Sequence, residues 1–587
     1  MPKLELLNPE YLPTPLVQRN QRHPISVDAH FKHPSLVHVL LSLTGFLLAR
    51  TLDRVLRRSD PLKTAIAARE LLQGLGGVWV KLGQLLSLKS DLLSDEMCDQ
   101  LSRCLYSNVA FPSSVARAVV ERAIQKPISK VFSSFDDTPL AAASIAQVHR
   151  AELLEEGVAV VVKVLRPGIR ASFKRDMRLL RGMVKLASIL LPIAHLRLND
   201  ALIELNGIVE EELDYSFEAY NIQRMRRTLR KHKVYVPHLF TQYANAEVLV
   251  IEEIKGVLMS EAISVSRQEP HRFEAWCQEN TVNPKKVAAH LFLSNLRQLL
   301  EDNLFHGDMH PGNIILLRHN RYALIDFGTI GTLEQSFIML YVGVLRALSQ
   351  NNYDKAANLA IHMSTEIPSL DLADLKRDLI RAMRLWQAHS SMDGMNYYER
   401  SIGASTRIIG NVFAKYRLQI SWTSLRMART WGTLDSTLAY FYPDMSHARM
   451  FDRYLKKAKE RRRQHLFSSI KERAFDFIDT AYQYRILLDP VAQRSILAYK
   501  QKLNKISLVI STTIRFILMF TLGGTIFGVY AFLDQHYLDL SHLPIGGLLD
   551  DVPRIEKDWF ILVLFGLCIL VFLLRRLLRI STISFLR

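Results

Sequence analysis

Cysteine is scarce in this chain of 587 residues: four in all, Cys98, Cys104, Cys277 and Cys568. None stands in CxxC spacing, which excludes a disulfide framework and a zinc site and suits a reducing compartment. Acidic charge is in deficit, with 57 Asp and Glu against 75 Lys and Arg and a formal net charge of +18. Such a balance calls for a polyanionic partner. No aromatic-interleaved basic motif accompanies it, so nucleic acid is not expected. The cations gather beside apolar helices, which points to an anionic membrane surface. The first 32 residues contain Glu5 and Glu10 and lack the Arg/Ser-rich amphipathic pattern of a transit peptide. They predict an extended or poorly ordered arm.

Three apolar runs are present. Leu36 to Ala49 is short and too late for a signal peptide; with Arg50, Arg54, Arg57 and Arg58 after it, it predicts an interfacial or buried helix, with a membrane span as the alternative. Phe516 to Leu533 and Trp559 to Leu574 approach spanning length and predict a helical hairpin. Lys500, Lys502, Lys505 and Arg515 precede the first, and Arg575, Arg576 and Arg579 follow the second. The connector between them is acidic, carrying Asp534, Asp539, Asp550, Asp551, Glu556 and Asp558. The positive-inside rule then puts both outer ends on the cytoplasmic side. Gly523, Gly524 and Gly528 would let the two helices pack closely. A buried hairpin in a soluble core is the alternative.

The chemistry is concentrated in Phe305-His306-Gly307-Asp308-Met309-His310-Pro311-Gly312-Asn313 and the following Asp326-Phe327-Gly328. In a protein-kinase-type site an Asp orients the acceptor, an Asn five residues later binds metal, and the Asp of Asp-Phe-Gly holds the Mg²⁺ that bridges the phosphates. Asp308, Asn313 and Asp326 fit that spacing. Two short apolar runs, Ile314 to Leu317 and Tyr322 to Ile325, predict the hairpin that joins them.

Upstream, weaker signals stand in the matching order. Ala141, Ala142, Ala143, Ser144, Ile145 and Ala146 form a small-residue stretch where a glycine-rich phosphate loop would lie. Methyl groups restrict the backbone, so this lid is expected to be stiffer. Val158 to Leu165 predicts a buried strand with Lys163 inside it, where an ammonium needs an anionic partner. Glu211, Asp214 and Glu218 step by three and four along a predicted helix, on one face, with Glu218 able to reach Lys163. A solvated acidic face is the plainer reading. Glu247 to Ile254 predicts a strand entering a hinge. Gly74 to Gln84 is glycine-rich within a helical pattern, with Lys81 and Gln84 on one face.

Taken together these segments resemble the UbiB family of atypical protein-kinase-like proteins over roughly residues 63 to 500. The most specific carriers are Lys81-Leu82-Gly83-Gln84 (the family's KxGQ), Ser144 to His149 after the Ala-rich stretch, Glu212-Leu213-Asp214 (its ExD) and His306 to Asn313. The resemblance implies an α+β, two-lobed protein-kinase-like fold with a helical N-terminal extension and a C-terminal transmembrane helical hairpin. Its expected division is an arm at 1–60, a KxGQ extension at 61–130, an N-lobe at 131–256, a helical C-lobe at 257–500 and a membrane anchor at 501–587. It implies ATP binding with Mg²⁺ and slow ATPase activity or restricted phosphoryl transfer. Lys163, Glu218 and Asp308 would serve catalysis, Ala141 to Ala146 and Lys163 would hold nucleotide, and Asn313 and Asp326 would hold metal. The KxGQ helix would cover the pocket, Lys81 pairing with Glu212 and Asp214 across it. Implied partners are anionic membrane lipid, hydrophobic quinone precursors and other quinone-biosynthesis enzymes, with room for a homodimer. The implied place is a bacterial inner membrane with the catalytic domain cytoplasmic. A conventional Ser/Thr kinase and a nucleotide-gated scaffold are the competing readings.

Overall fold

A computed structural model of the chain describes residues 5–17, 27, 34–55, 60–87, 93–104, 110–142, 145–190, 198–366, 372–392, 394–416, 418–466, 490–537 and 556–583. Ala143 and Ser144 of the proposed lid, and most of the acidic connector (538–555), lie outside them. Contacts divide the chain into two units: 1–182, 198–366 and 371–468 form the first, and 183–197, 367–370 and 469–587 the second.

In the first unit an antiparallel sheet is built from β1 (Phe132–Phe135), β2 (Ala141–Ala142), β3 (Ala146–Leu153), β4 (Ala159–Leu165) and β5 (Val248–Glu252). The order is β1-β3-β4-β5, with β2 pairing on β3. β4 alternates as a strand must. Val160, Val162 and Val164 are fully buried on one face, packed with Ala116, Val119 and Val120. Lys163 therefore points to the opposite face, opposite Val148 on β3 and Leu249 on β5.

Helices α1 (Leu36–Val55), α2 (Pro61–Leu75), α3 (Gly77–Leu86), α4 (Asp95–Ser102) and α5 (Ser113–Ile124) precede the sheet. α5 carries the three buried residues Ala116, Val119 and Val120, so it belongs to the core of the sheet and not to the KxGQ extension in which its position in the chain placed it. Between β4 and β5 come α6 (Ile169–Leu190), α7 (Leu198–Glu212) and α8 (Tyr215–Arg230).

The C-terminal half of this unit is helical. It comprises α9 (Met259–Gln268), α10 (Pro270–Glu279), α11 (Pro284–Leu300), α12 (Gln335–Ser349), α13 (Tyr353–His362), α14 (Leu372–Ser391), α15 (Tyr397–Arg400), α16 (Ile402–Lys415), α17 (Trp422–Phe441) and α18 (His447–Leu466). Four of its short strands bear on the site: β6 (Val257–Leu258), β7 (Phe305–His306), β8 (Ile314–Leu316) and β9 (Tyr322–Leu324). β8 and β9 form the expected hairpin, with Ile314 opposite Leu324. Gly307 donates its N–H to the Thr329 carbonyl at 2.7 Å, and a Cβ there would stand 2.7 Å from Thr329 Cγ2. Only glycine permits that approach.

The arm departs from expectation over 5–17. It docks because buried polar groups await it: Trp276 Nε1 donates to the Thr14 carbonyl (2.7 Å), and Asn280 exchanges two hydrogen bonds with Thr14 (2.8 and 2.9 Å). The Leu7 N–H donates to Glu252 Oε1 at 2.7 Å, and Leu16 is buried.

In the second unit α19 (Pro490–His536) runs 47 residues, much longer than its apolar part, and packs against α20 (Lys557–Ile583). The rings of Phe532 and Phe560 stack between them, their centroids 3.9 Å apart. Among the described residues two helical stretches are long and apolar enough to cross a membrane, Leu36–Asp53 and Thr512–His536, with mean hydropathies of 1.4 and 2.0; the apolar part of α20 is the shorter Val563–Leu574.

Candidate active site

The site forms where β4, α8 and the β8–β9 hairpin converge. Lys163 Nζ donates to both carboxylate oxygens of Glu218, at 2.9 and 2.8 Å, and stands 3.7 Å from Asp326 Oδ1. Burial alone would push the ammonium down, but Asp326 and Glu218 outweigh it and hold Lys163 above its ordinary value. Burial likewise works against the Asp326 carboxylate, yet Lys163 and the Gly328 N–H keep it below the usual carboxylate range. A cation therefore meets an ionised Asp326, whose side chain is 46% exposed.

α8 is locked to Asp-Phe-Gly by two backbone contacts. Asn221 Nδ2 donates to the Phe327 carbonyl (3.1 Å), and the Phe327 N–H approaches Glu218 Oε1 at 3.4 Å. His306 couples that segment to the catalytic loop. Its Nε2 is hydrogen-bonded to the Asp326 carbonyl, and its Nδ1 accepts from the Asp308 N–H at 3.2 Å. One nitrogen donating and the other accepting defines a neutral imidazole. Burial, which lowers the pKa of His306, favours the same state.

Asn313 Nδ2 donates to the Asp308 carbonyl at 3.1 Å, and its own carbonyl accepts from Ile325, the residue before Asp326, at 3.2 Å. Asn313 thus keeps its side-chain oxygen for a ligand beside an ionised carboxylate. Hard oxygen donors of this kind, few in number, fit Mg²⁺ that takes its other ligands from water and phosphate.

The KxGQ segment lies in α3. Lys81 forms an ion pair with Glu212, the last residue of α7, both side chains being largely buried. The expected partnership with Asp214 is not formed. The helix breaks at Leu213, and the Asp214 carboxylate caps α8 by accepting the Ser216 N–H at 2.9 Å. That break also overturns the single acidic face read through Glu211, Asp214 and Glu218. Gln84 donates to the Cys104 carbonyl at 3.1 Å, tying α3 to the end of α4. Ala141 and Ala142 of β2 pair with Val148 and Gln147 of β3, and the Ile145 carbonyl accepts from the Arg166 N–H at 2.7 Å.

Sequence reading missed one residue here. Arg429 on α17 reaches Asp308 Oδ2 at 3.4 Å. Its signal is a helical spacing of Arg426, Arg429, Thr430, Thr433 and Thr437, visible only once the helix is known to face the loop.

A sheet-borne lysine, a helical glutamate, an Asp-to-Asn catalytic loop and an Asp-Phe-Gly carboxylate on a two-lobed α+β scaffold define a protein-kinase-like domain. Residues 104–360 match the ABC1 atypical kinase-like domain. The chain thus carries an ABC1 atypical kinase-like domain, and beyond that domain it is similar to proteins named as probable protein kinases UbiB. It is 30% identical over 316 residues to a probable protein kinase UbiB of Tolumonas auensis, covering 53% of this chain and 56% of that protein. To the probable protein kinase UbiB of Photobacterium profundum it is 34% identical over 299 residues, 50% of this chain and 53% of that one. The chain spans about half the length of the curated relatives it matches. A solved structure of Rv3197 with erythromycin from Mycobacterium tuberculosis is 23% identical, covers 69% of this chain and 99% of its own, and superposes with a TM-score of 0.38.

Proposed function

We propose that this chain binds Mg·ATP between the two lobes of its kinase-like domain and turns it over at a membrane, in support of isoprenoid quinone biosynthesis, with ubiquinone the leading pathway. The observation that carries the reading is the group Lys163, Glu218 and Asp326, a cation held by two carboxylates, one of which faces the cleft. Glu218 fixes Lys163 for the α- and β-phosphates, and Asp326 with Asn313 supplies the oxygens for Mg²⁺. Asp308 orients the acceptor. The acceptor oxygen joins the γ-phosphorus as its bond to the β–γ bridging oxygen breaks. ADP leaves with that electron pair, and the acceptor proton passes to Asp308 or to the released phosphate.

The Lys81–Glu212 pair supports a gated pocket, which favours hydrolysis or a small lipid-borne acceptor over a peptide. Net charge and the apolar stretches of α1 and α19 support an anionic membrane as the working surface, a bacterial inner membrane with the kinase-like domain cytoplasmic. Hydrophobic quinone precursors are then the proposed clients. The test is Mg·ATP turnover by the full chain with and without anionic-lipid vesicles, beside Asp326→Asn. Turnover that rises with lipid and vanishes in the variant supports the proposal. Nucleotide binding without turnover under any lipid favours a nucleotide-gated scaffold, robust phosphorylation of an added peptide favours a conventional kinase, and absence of nucleotide binding refutes all three.

A further inference from the structure

The loop Phe305 to Asn313 contains no lysine and no arginine. Negative charge nevertheless develops on the transferring phosphoryl group beside it, and preorganised cations are the usual means of stabilising that charge. Lys163 is already committed to Glu218 and Asp326. The guanidinium that does reach the loop comes from α17, beyond the residues that match the family domain. Arg429 Nη2 donates to Asp308 Oδ2 at 3.4 Å, with the two side chains 27% and 29% exposed. Among the described residues Asp308 is its one side-chain acceptor, so most of the guanidinium's five donors stay uncommitted.

Seating of α17 on the loop does not depend on this contact. The Met309 N–H donates to Thr433 Oγ1 (3.1 Å), and Thr437 Oγ1 donates to the Met309 carbonyl (3.2 Å). Thr430, Thr433 and Thr437 share the helical face of Arg426 and Arg429. Arg426 reaches Glu204 of α7 at 2.5 Å, on the helix whose last residue holds Lys81. The threonines fix where the helix lies. Arg429 is left to act on the carboxylate.

We infer that Arg429 is a positioning residue for phosphoryl transfer: it orients the Asp308 carboxylate toward the acceptor and brings into the site, from the same chain, the positive charge that the catalytic loop lacks. This rests on the ATP-turnover reading above. The test uses the full chain in lipid vesicles, comparing wild type, Arg429→Lys, Arg429→Ala and Asp308→Asn, each with and without low-millimolar guanidinium. Arg429→Ala is expected to lower kcat roughly 100-fold or more while KM for ATP moves less than about threefold, the pattern of a group acting in the transition state. Guanidinium should restore at least about tenfold to Arg429→Ala and nothing to Asp308→Asn, with Arg429→Lys intermediate. A kcat for Arg429→Ala within about threefold of wild type overturns the inference. So does a loss that guanidinium leaves unchanged and that tracks a lower Tm, which would mark a packing role. If Arg429→Ala does not fold, the kcat-against-KM split of Arg429→Lys decides in the same way. Absence of wild-type turnover sinks the parent reading instead.

Discussion

Lys163 is one cation shared unequally between two carboxylates, and the inequality predicts what each can lose. Glu218 is 3% exposed and grips the ammonium through both oxygens, whereas Asp326 is 3.7 Å away and opens to the cleft. Glu218→Gln should lower stability by about 2 kcal/mol, less than the 3–5 of a fully broken buried pair because Asp326 remains. Denaturant unfolding checks it, and nucleotide affinity should fall in parallel. A second buried cluster lies in the helical half. Asp435 accepts from Tyr397 Oη (3.0 Å) and the Gly403 N–H (2.8 Å), and that phenol oxygen is 3.2 Å from His447 Nε2. Burial pushes the Asp435 carboxyl up to about 6 and the His447 imidazole down to about 3. With its pKa raised, Asp435 contributes stability that is complete below its ordinary value of 3.8 and lost as pH rises through about 6. With its pKa lowered, His447 costs stability as pH falls below 6.5. Over pH 4 to 6 the two slopes oppose, each at most about 1.4 kcal/mol per unit. Relative to wild type, Asp435→Asn should make stability rise with pH in that window and His447→Gln should make it fall, as thermal scans across pH would read.

At the scale of the element, α3 is held by few contacts of its own sequence. It is ten residues long, too short to be stable in isolation, and opens with Gly77 at φ +48° after Gly76 at +65°. Its anchors are tertiary: Trp79 and Val80 are buried, Gln84 meets Cys104, and Lys81 meets Glu212. Glu212→Gln should loosen this helix without unfolding the sheet. Hydrogen exchange over 77–86 is then expected to speed roughly tenfold, while β3 and β4 exchange as in wild type. Equal acceleration in both places would mean that α3 is no separate unit.

For the whole kinase-like unit, the arm at 5–17 touches the end of β5, α10 and the loop after β8. Removing residues 1–17 strips the partner from Trp276 Nε1 and from Glu252 Oε1, whereas Asn280 loses Thr14 but keeps the Trp276 carbonyl and Arg318 Nε. Each buried polar group left unpaired costs about 1–3 kcal/mol, less where water enters. The shortened chain should therefore melt several degrees lower, and Trp276→Phe in the shortened chain should recover part of that loss by removing a donor left without a partner. An unchanged Tm on truncation would mean that water replaces the arm at no cost.

Short-range pattern was enough for the order of the motifs. The alternation of β4, the β8–β9 hairpin and the Asp308, Asn313 and Asp326 spacing depend on neighbours in the chain, and the pairing of Glu218 with Lys163 follows from the expense of burying an ammonium alone. Position along the chain misled where local rules compete. Asp214 had the right spacing for a helical face but serves as a cap, since a carboxylate beside free N–H groups satisfies them better than it continues a helix. α5 joined the sheet because its apolar face matched the valines of β4, a match between segments some forty residues apart. Residues 5–17 looked like a loose arm because the groups that bind them, Trp276, Asn280 and Glu252, lie more than two hundred residues away. The sequence by itself determined the spacing of the residues to which the proposed chemistry is given. The tertiary structure alone decided which distant side chains attend them, Arg429 at Asp308 and Glu212 at Lys81, because contacts across 121 and 131 residues are fixed by packing and leave no period in the chain.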